Sequence, residues 1–144
     1  MFTSIMVALD GSAQANDALA AAISIATLGN GHLHLVTVPQ PIVVPAIDGM
    51  MSYPLPFDQG DMDKAAKTIL NAGVGLVPEA VKSRTTTKIL YGDPAHAIVD
   101  EAAKASIDLI VLGRRGLGTF AGLLLGSTTT KVSQLAPCAV LTVK

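Results

Sequence analysis

The residues best suited to chemistry in this 144-residue chain fall between positions 113 and 126. Five of its 13 glycines (Gly113, Gly116, Gly118, Gly122 and Gly126) are concentrated there, in the pattern Gly113-x-x-Gly116, nine residues, Gly126-Ser127. Peptide N–H groups can converge on an anion only where no Cβ blocks the approach, and glycine meets that condition. A helix N-terminus adds donors without intrahelical partners and a partial positive charge. Gly126-Ser127 stands at the head of a helical pattern, so its amides and the Ser127 hydroxyl are expected to hold phosphate oxygens. Gly113 and Gly116 are expected to turn the chain tightly and let a ribose or phosphate lie against the backbone. A flexible loop with an ordinary helix cap would use the same residues. The position after a buried strand and before a helix favours phosphate.

Arg114 and Arg115 lie inside this segment: either one of them, with Arg115 the candidate, neutralises phosphate charge, or both are solvated loop cations. No Asp, Glu or His occurs between positions 113 and 135. The segment therefore supplies no base to orient water, and any hydrolysis at such a site is expected to be slow.

The remaining candidates are weaker. Asp10, in Asp10-Gly11-Ser12, is either a plain turn residue or a ligand for an adenosine moiety; its place at the end of a strand favours the ligand role. His32 and His34 share one face of a strand, but no third ligand matches them, so a surface or sheet-edge role is expected. His96 reads as an ordinary first-turn residue and the lone Cys138 as a small buried hydrophobe. No Gly-rich loop with Lys-Ser/Thr follows the first strand, which excludes a P-loop enzyme. Asp10, Asp93 and Lys144 imitate a phospho-receiver only superficially, and aromatic content of 3% leaves little to stack a flavin.

These residues must be positioned by alternating strands and helices. Strands are expected at Ser4–Leu9, His32–Val38, Thr85–Tyr91, Leu109–Leu112 and Ala139–Val143. Helical faces are expected from Ala15, Ala18, Leu19, Ala22 and Ala26; from Met62, Ala65, Ala66, Ile69, Leu70 and Gly73, weakened near Gly73 and Gly75; and from Ala95, Ile98, Val99, Ala102 and Ala103. A last helix covers Ser127–Leu135. Asp93-Pro94 is a helix start, with the acid capping free amides. Residues 39–60 form a long connection holding Pro39, Pro41, Pro45, Pro54 and Pro56, a length that tends to be functional. The alternation predicts one α/β domain over residues 1–144: a doubly wound, Rossmann-like, five-stranded parallel sheet with four helices on two faces. Ligands bind such sheets at the strand carboxyl ends where the strand order reverses.

Composition narrows the function further. Hydrophobic residues make up 50% and charged residues 15%, which excludes a disordered chain. A net charge of −1 argues against nucleic acid as a partner. No apolar run approaches the roughly 20 residues of a membrane span. The opening Ile5–Leu9 run follows no basic residue and stops at Asp10, unlike a signal peptide. With one cysteine, a reducing, cytoplasmic setting is expected.

The chain resembles the universal stress protein family, and specifically its nucleotide-binding branch. The resemblance runs through IMVALDGS (Ile5–Ser12), GDPAHAI (Gly92–Ile98), LIVLG, the glycine set Gly113, Gly116, Gly126 and Ser127, and APCAVLTVK (Ala136–Lys144). It implies strand order 3-2-1-4-5 and an ATP site, with Mg²⁺ or Mn²⁺ as the ion to be considered beside the nucleotide. The family's adenine position falls on Ala8, Asp10 and Val38, and its ribose and phosphates fall on Leu112, Gly113, Gly116, Gly126 and Ser127. Thr128 stands where the family often has an aliphatic residue; it either adds a hydroxyl to the phosphate site or simply begins the helix. The resemblance further implies a homodimer formed through Ala139–Val143 and a nucleotide-responsive regulatory or protective role with a protein partner unknown. A slow ATPase or nucleotide-transferring enzyme at the same site is the alternative.

Overall fold

Strands and helices alternate along the chain: β1 (Ser4–Ala8), α1 (Ala13–Gly29), β2 (His32–Thr37), α2 (Gln59–Leu76), α3 (Glu79–Lys82), β3 (Thr85–Ile89), α4 (Pro94–Lys104), β4 (Leu109–Gly113), α5 (Ser127–Leu135) and β5 (Ala139–Val143). The computed structural model describes residues 1–41, 58–116 and 125–144. Pro45, Pro54, Pro56, Gly118 and Gly122 lie outside the described residues.

The five strands form one parallel sheet in the order β3-β2-β1-β4-β5. Val7 of β1 pairs with both Leu35 of β2 and Val111 of β4, so the strand order reverses at β1. Alternation along each strand divides the core. Ile5, Val7, Leu33, Leu35, Leu109 and Val111 pack with α1 and with Leu70 and Val81 on one face. Met6, Val36, Ile110 and Leu112 pack with Ala95, Ile98, Ala102 and Val132 on the other. Burial on both faces explains why β1 and β4 are unbroken apolar runs.

Local signals set the helix limits. Ser12 caps α1, its Oγ accepting from Ala15 N at 3.2 Å, and Asn30 ends the helix in the left-handed region at φ 51°. The α1 face that enters the core is Ala15, Ala18, Leu19, Ala22 and Ala26, the residues marked by its periodicity. Asp93 caps α4 through a 3.1 Å bond from His96 N, with Pro94 following it. No helix among the described residues is long and apolar enough to cross a membrane.

Among the described residues there are five helices: the four expected and a one-turn α3, which is too short to show a period. α2 runs through Gly73 and Gly75 and ends at Leu76, directly after them. Gly73 is buried between Leu9, just past β1, and Leu35 of β2, and an added Cβ would come 2.5 Å from Leu9 Cδ1, so the glycine permits close helix–sheet packing. The strands also end differently: β1, β2 and β3 stop short of Leu9, Val38 and Leu90, whereas β4 runs on through Gly113.

Candidate functional site

The carboxyl ends of β1 and β4 lie side by side, and their chains depart to opposite faces, β1 into α1 and β4 toward α5. A cleft of about 430 Å³ opens there, within the range of small-molecule sites. It gathers all ten residues singled out from the sequence. Ala8 and Asp10 come from the end of β1, and Val38 from beyond β2. Leu112, Gly113, Arg115 and Gly116 come from the end of β4. Gly126, Ser127 and Thr128 come from the start of α5.

Asp10 is held by its own turn: its Oδ1 accepts from Ser12 N at 2.9 Å, and Gly11 between them takes φ 84°. The turn role and a place in the cleft are therefore compatible. Gly116 lies so close that a Cβ built on it would collide with Asp10 Oδ2. Gly113 does not make the tight turn expected of it. It is the last residue of β4, and its missing side chain admits α1: an added Cβ would lie 2.8–2.9 Å from the carbonyl carbon, oxygen and Cβ of Gln14.

The start of α5 is anchored by its backbone. Arg114 N donates to Val143 O at 2.6 Å, and Gly126 N donates to Arg114 O at 2.9 Å. The Gly126 amide is thus committed to the fold and is not available to a phosphate, contrary to expectation. Thr129 Oγ1 donates to Gly113 O at 3.0 Å, joining α5 to the end of β4. Thr130 N, bonded to Gly126 O at 2.9 Å, closes the first helical turn. Gly126 has no side chain with which to cap the helix, so the amides of Ser127, Thr128 and Thr129 precede the first intrahelical donor.

The two arginines separate. Arg114 serves the β4–β5 connection through its backbone, while Arg115 lines the cleft. Arg115 Nε is buried without a hydrogen-bond partner among the described residues. A buried donor left unmade costs about 1–3 kcal/mol, and an anionic ligand would relieve that cost.

Sequence reasoning missed one wall. Asp61, Met62, Ala65, Ala66 and Ile69 of α2 line the cleft, as do Thr37, Pro39 and Gln40 after β2. The signal was present as helical periodicity, but periodicity does not distinguish a core-facing stripe from a cleft-facing one. Within this wall Ala66 is buried, whereas Met62 is partly and Ala65 largely exposed. The cleft lining thus combines apolar residues, Ala8, Val38, Met62, Ile69 and Leu112, with the polar Arg115, Ser127 and Thr128.

The other candidates stand apart from the cleft. His32 is exposed, as expected of a surface residue. His34 is half-buried on the internal strand β2 rather than at a sheet edge, its Nε2 3.2 Å from Ser4 Oγ and its Nδ1 3.1 Å from Thr86 Oγ1. Burial, and secondarily His32, hold its pKa below the ordinary value, with Glu101 opposing. His96 Nδ1 is 2.7 Å from Asp93 Oδ1. Cys138 is half-buried, and burial with help from Asp108 pushes its thiol pKa up. Among the described residues no group of three His, Cys, Asp or Glu could hold a metal ion.

A parallel sheet of this order, with its strand order reversing beside a cleft, defines a doubly wound α/β protein. The model of the universal stress protein family matches residues 1–144, and the chain belongs to that family. It is 32% identical over 148 residues to universal stress protein YxiE of Bacillus subtilis, with both chains covered in full. It is 36% identical, again over the full length of both, to a universal stress protein of Thermus aquaticus. Among solved structures, a universal stress protein in complex with cAMP superposes with a TM-score of 0.73 at 26% identity, over 99% of this chain and 97% of that one. Universal stress protein UspA of Lactobacillus plantarum superposes with a TM-score of 0.67 at 28% identity, over 99% and 98%.

Proposed function

We propose that the chain binds an adenine nucleotide, in its fullest form ATP, in the cleft between the ends of β1 and β4. The observation that carries this reading is one convergence. The first turn of α5, which has no side-chain cap, the Ser127 hydroxyl and an Arg115 Nε without a partner among the described residues line one cleft together with the apolar Ala8, Val38, Met62, Ile69 and Leu112. An adenosine phosphate makes the same combination of demands, an apolar base joined to an anionic tail. The related cAMP complex supports the choice of adenine.

In this reading Ala8 and Val38 flank the base, and Asp10 faces the adenosine moiety. Leu112, Gly113 and Gly116 leave room for ribose and phosphate, and Arg115, Ser127 and Thr128 hold the anion. With no protein metal cluster among the described residues, an accompanying Mg²⁺ or Mn²⁺ would take its ligands mainly from phosphates and water.

The protein acts as a nucleotide-responsive regulatory or protective factor, in which binding shifts the population of surfaces offered to a partner. β5 is an edge strand with Leu141 exposed; an open apolar edge needs covering, which supports a homodimer through Ala139–Val143. A slow ATPase or nucleotide-transferring enzyme is the second reading, for which Asp61 is the carboxylate of the cleft lining not assigned to adenosine.

Calorimetric titration with ATP, ADP and AMP, with and without Mg²⁺ or Mn²⁺, tests the site. Saturable binding is expected, and its absence for all three would refute the reading. Prolonged incubation with ATP then separates regulator from enzyme, since only the enzyme releases ADP steadily.

A further inference from the structure

Past Ser127 and Thr128 the cleft continues into a second recess of about 270 Å³, which these two residues line together with Lys131 and Asp93. Lys131 lies one turn beyond Ser127 in α5, and helical side chains slant toward the helix N-terminus. Its ammonium is therefore carried back toward the positive end of its own helix, where a cation is unfavourable. The positive first turn of α4 borders the same recess through Pro94 and Ala95. Against these charges stands one carboxylate among the described lining residues, and it is already engaged. Asp93 Oδ1 accepts from His96 N at 3.1 Å and contacts its Nδ1 at 2.7 Å. Lys131 Nζ stands off from Asp93 Oδ2 at 3.7 Å, leaving a group with three donors only loosely engaged. Two helix starts and a displaced lysine at the mouth of a phosphate-type site make the recess a seat for additional negative charge.

We propose that Lys131 is the residue that distinguishes a nucleoside triphosphate from a monophosphate, binding the outermost phosphate of a chain that runs from the cleft across Ser127 and Thr128 into this recess. The proposal rests on the nucleotide reading above. A monophosphate ends at the first turn of α5 and does not reach Lys131, so the lysine contributes only to longer phosphate chains.

The test is calorimetric titration of the full chain and its Lys131→Met and Lys131→Arg variants with ATP, ADP and AMP, with thermal melts to check folding. Lys131→Met is expected to weaken ATP about tenfold, as loss of a charge-assisted bond implies, and to leave AMP within about twofold. Lys131→Arg should retain most of the ATP affinity. If Lys131→Met weakens ATP and AMP equally, or weakens neither, the proposal is overturned while the nucleotide reading stands. If the native chain binds neither ligand, both fall together.

Discussion

The peptide of Gly116 lies directly against the carboxylate of Asp10, so that a single added Cβ would strike Asp10 Oδ2. This contact brings together the segments that follow β1 and β4, both of which line the cleft. Gly116→Val must push the carboxylate aside or move the chain after β4. Because Gly116 is exposed, the melting temperature should change little, whereas nucleotide affinity should fall by about tenfold or more, the effect of losing a well-placed charged contact. Unchanged affinity would mean that the nucleotide does not lie against these two residues.

Gly113→Ala addresses stability. The new methyl would meet the backbone of Gln14 at 2.8–2.9 Å, and the first turn of α1 cannot yield as a flexible side chain can. Overpacking of this kind costs about 1–3 kcal/mol. The expected result is a lower urea midpoint with an unchanged slope. A native midpoint would show that α1 stands further from β4 than the structure places it.

Arg115→Met is expected to move stability and binding in opposite directions. It keeps an apolar stem in place and removes a buried Nε that has no partner among the described residues, so the ligand-free protein should melt at or above the native temperature. Nucleotide affinity should drop about tenfold, because a charge-assisted bond to phosphate is lost. Loss of stability together with unchanged affinity would assign Arg115 a purely structural role.

His34 links the sheet to pH. Burial chiefly, with His32 adding repulsion and Glu101 opposing, depresses its pKa from 6.5. A base with a depressed folded pKa takes up a proton more readily in the unfolded chain. Stability is therefore lost as pH falls through the unfolded value of 6.5, and the loss is complete below the folded pKa. Urea midpoints at about pH 7.5 and pH 5.5 should differ in the native protein and differ less in His34→Gln. Equal pH dependence in the two proteins would exclude His34 as the source.

Much of the fold was legible because local rules and tertiary packing agree. The five buried residues of α1 match its apolar period, and Asp93-Pro94 begins α4 as capping chemistry requires. The one-turn α3 was invisible for want of length. His34 was misplaced because its spacing reveals which face it shares but not which strands flank it; β1 and β3 enclose β2 and supply Ser4 and Thr86 as its partners.

The sequence by itself determined the alternation of strands and helices, the two-sided burial of β1 and β4, and the glycine spacing around 113–126. These follow from side-chain periodicity and from backbone freedom, both of which are local. Tertiary structure alone decided that Gly113 is bare to admit Gln14 and that Gly126 spends its amide on Arg114. It also decided that the stripe of Met62, Ala65 and Ile69 faces a cleft and that Arg115, not Arg114, lines that cleft. Each of those outcomes depends on the distance between segments remote in the chain, which is fixed only when the sheet orders its strands.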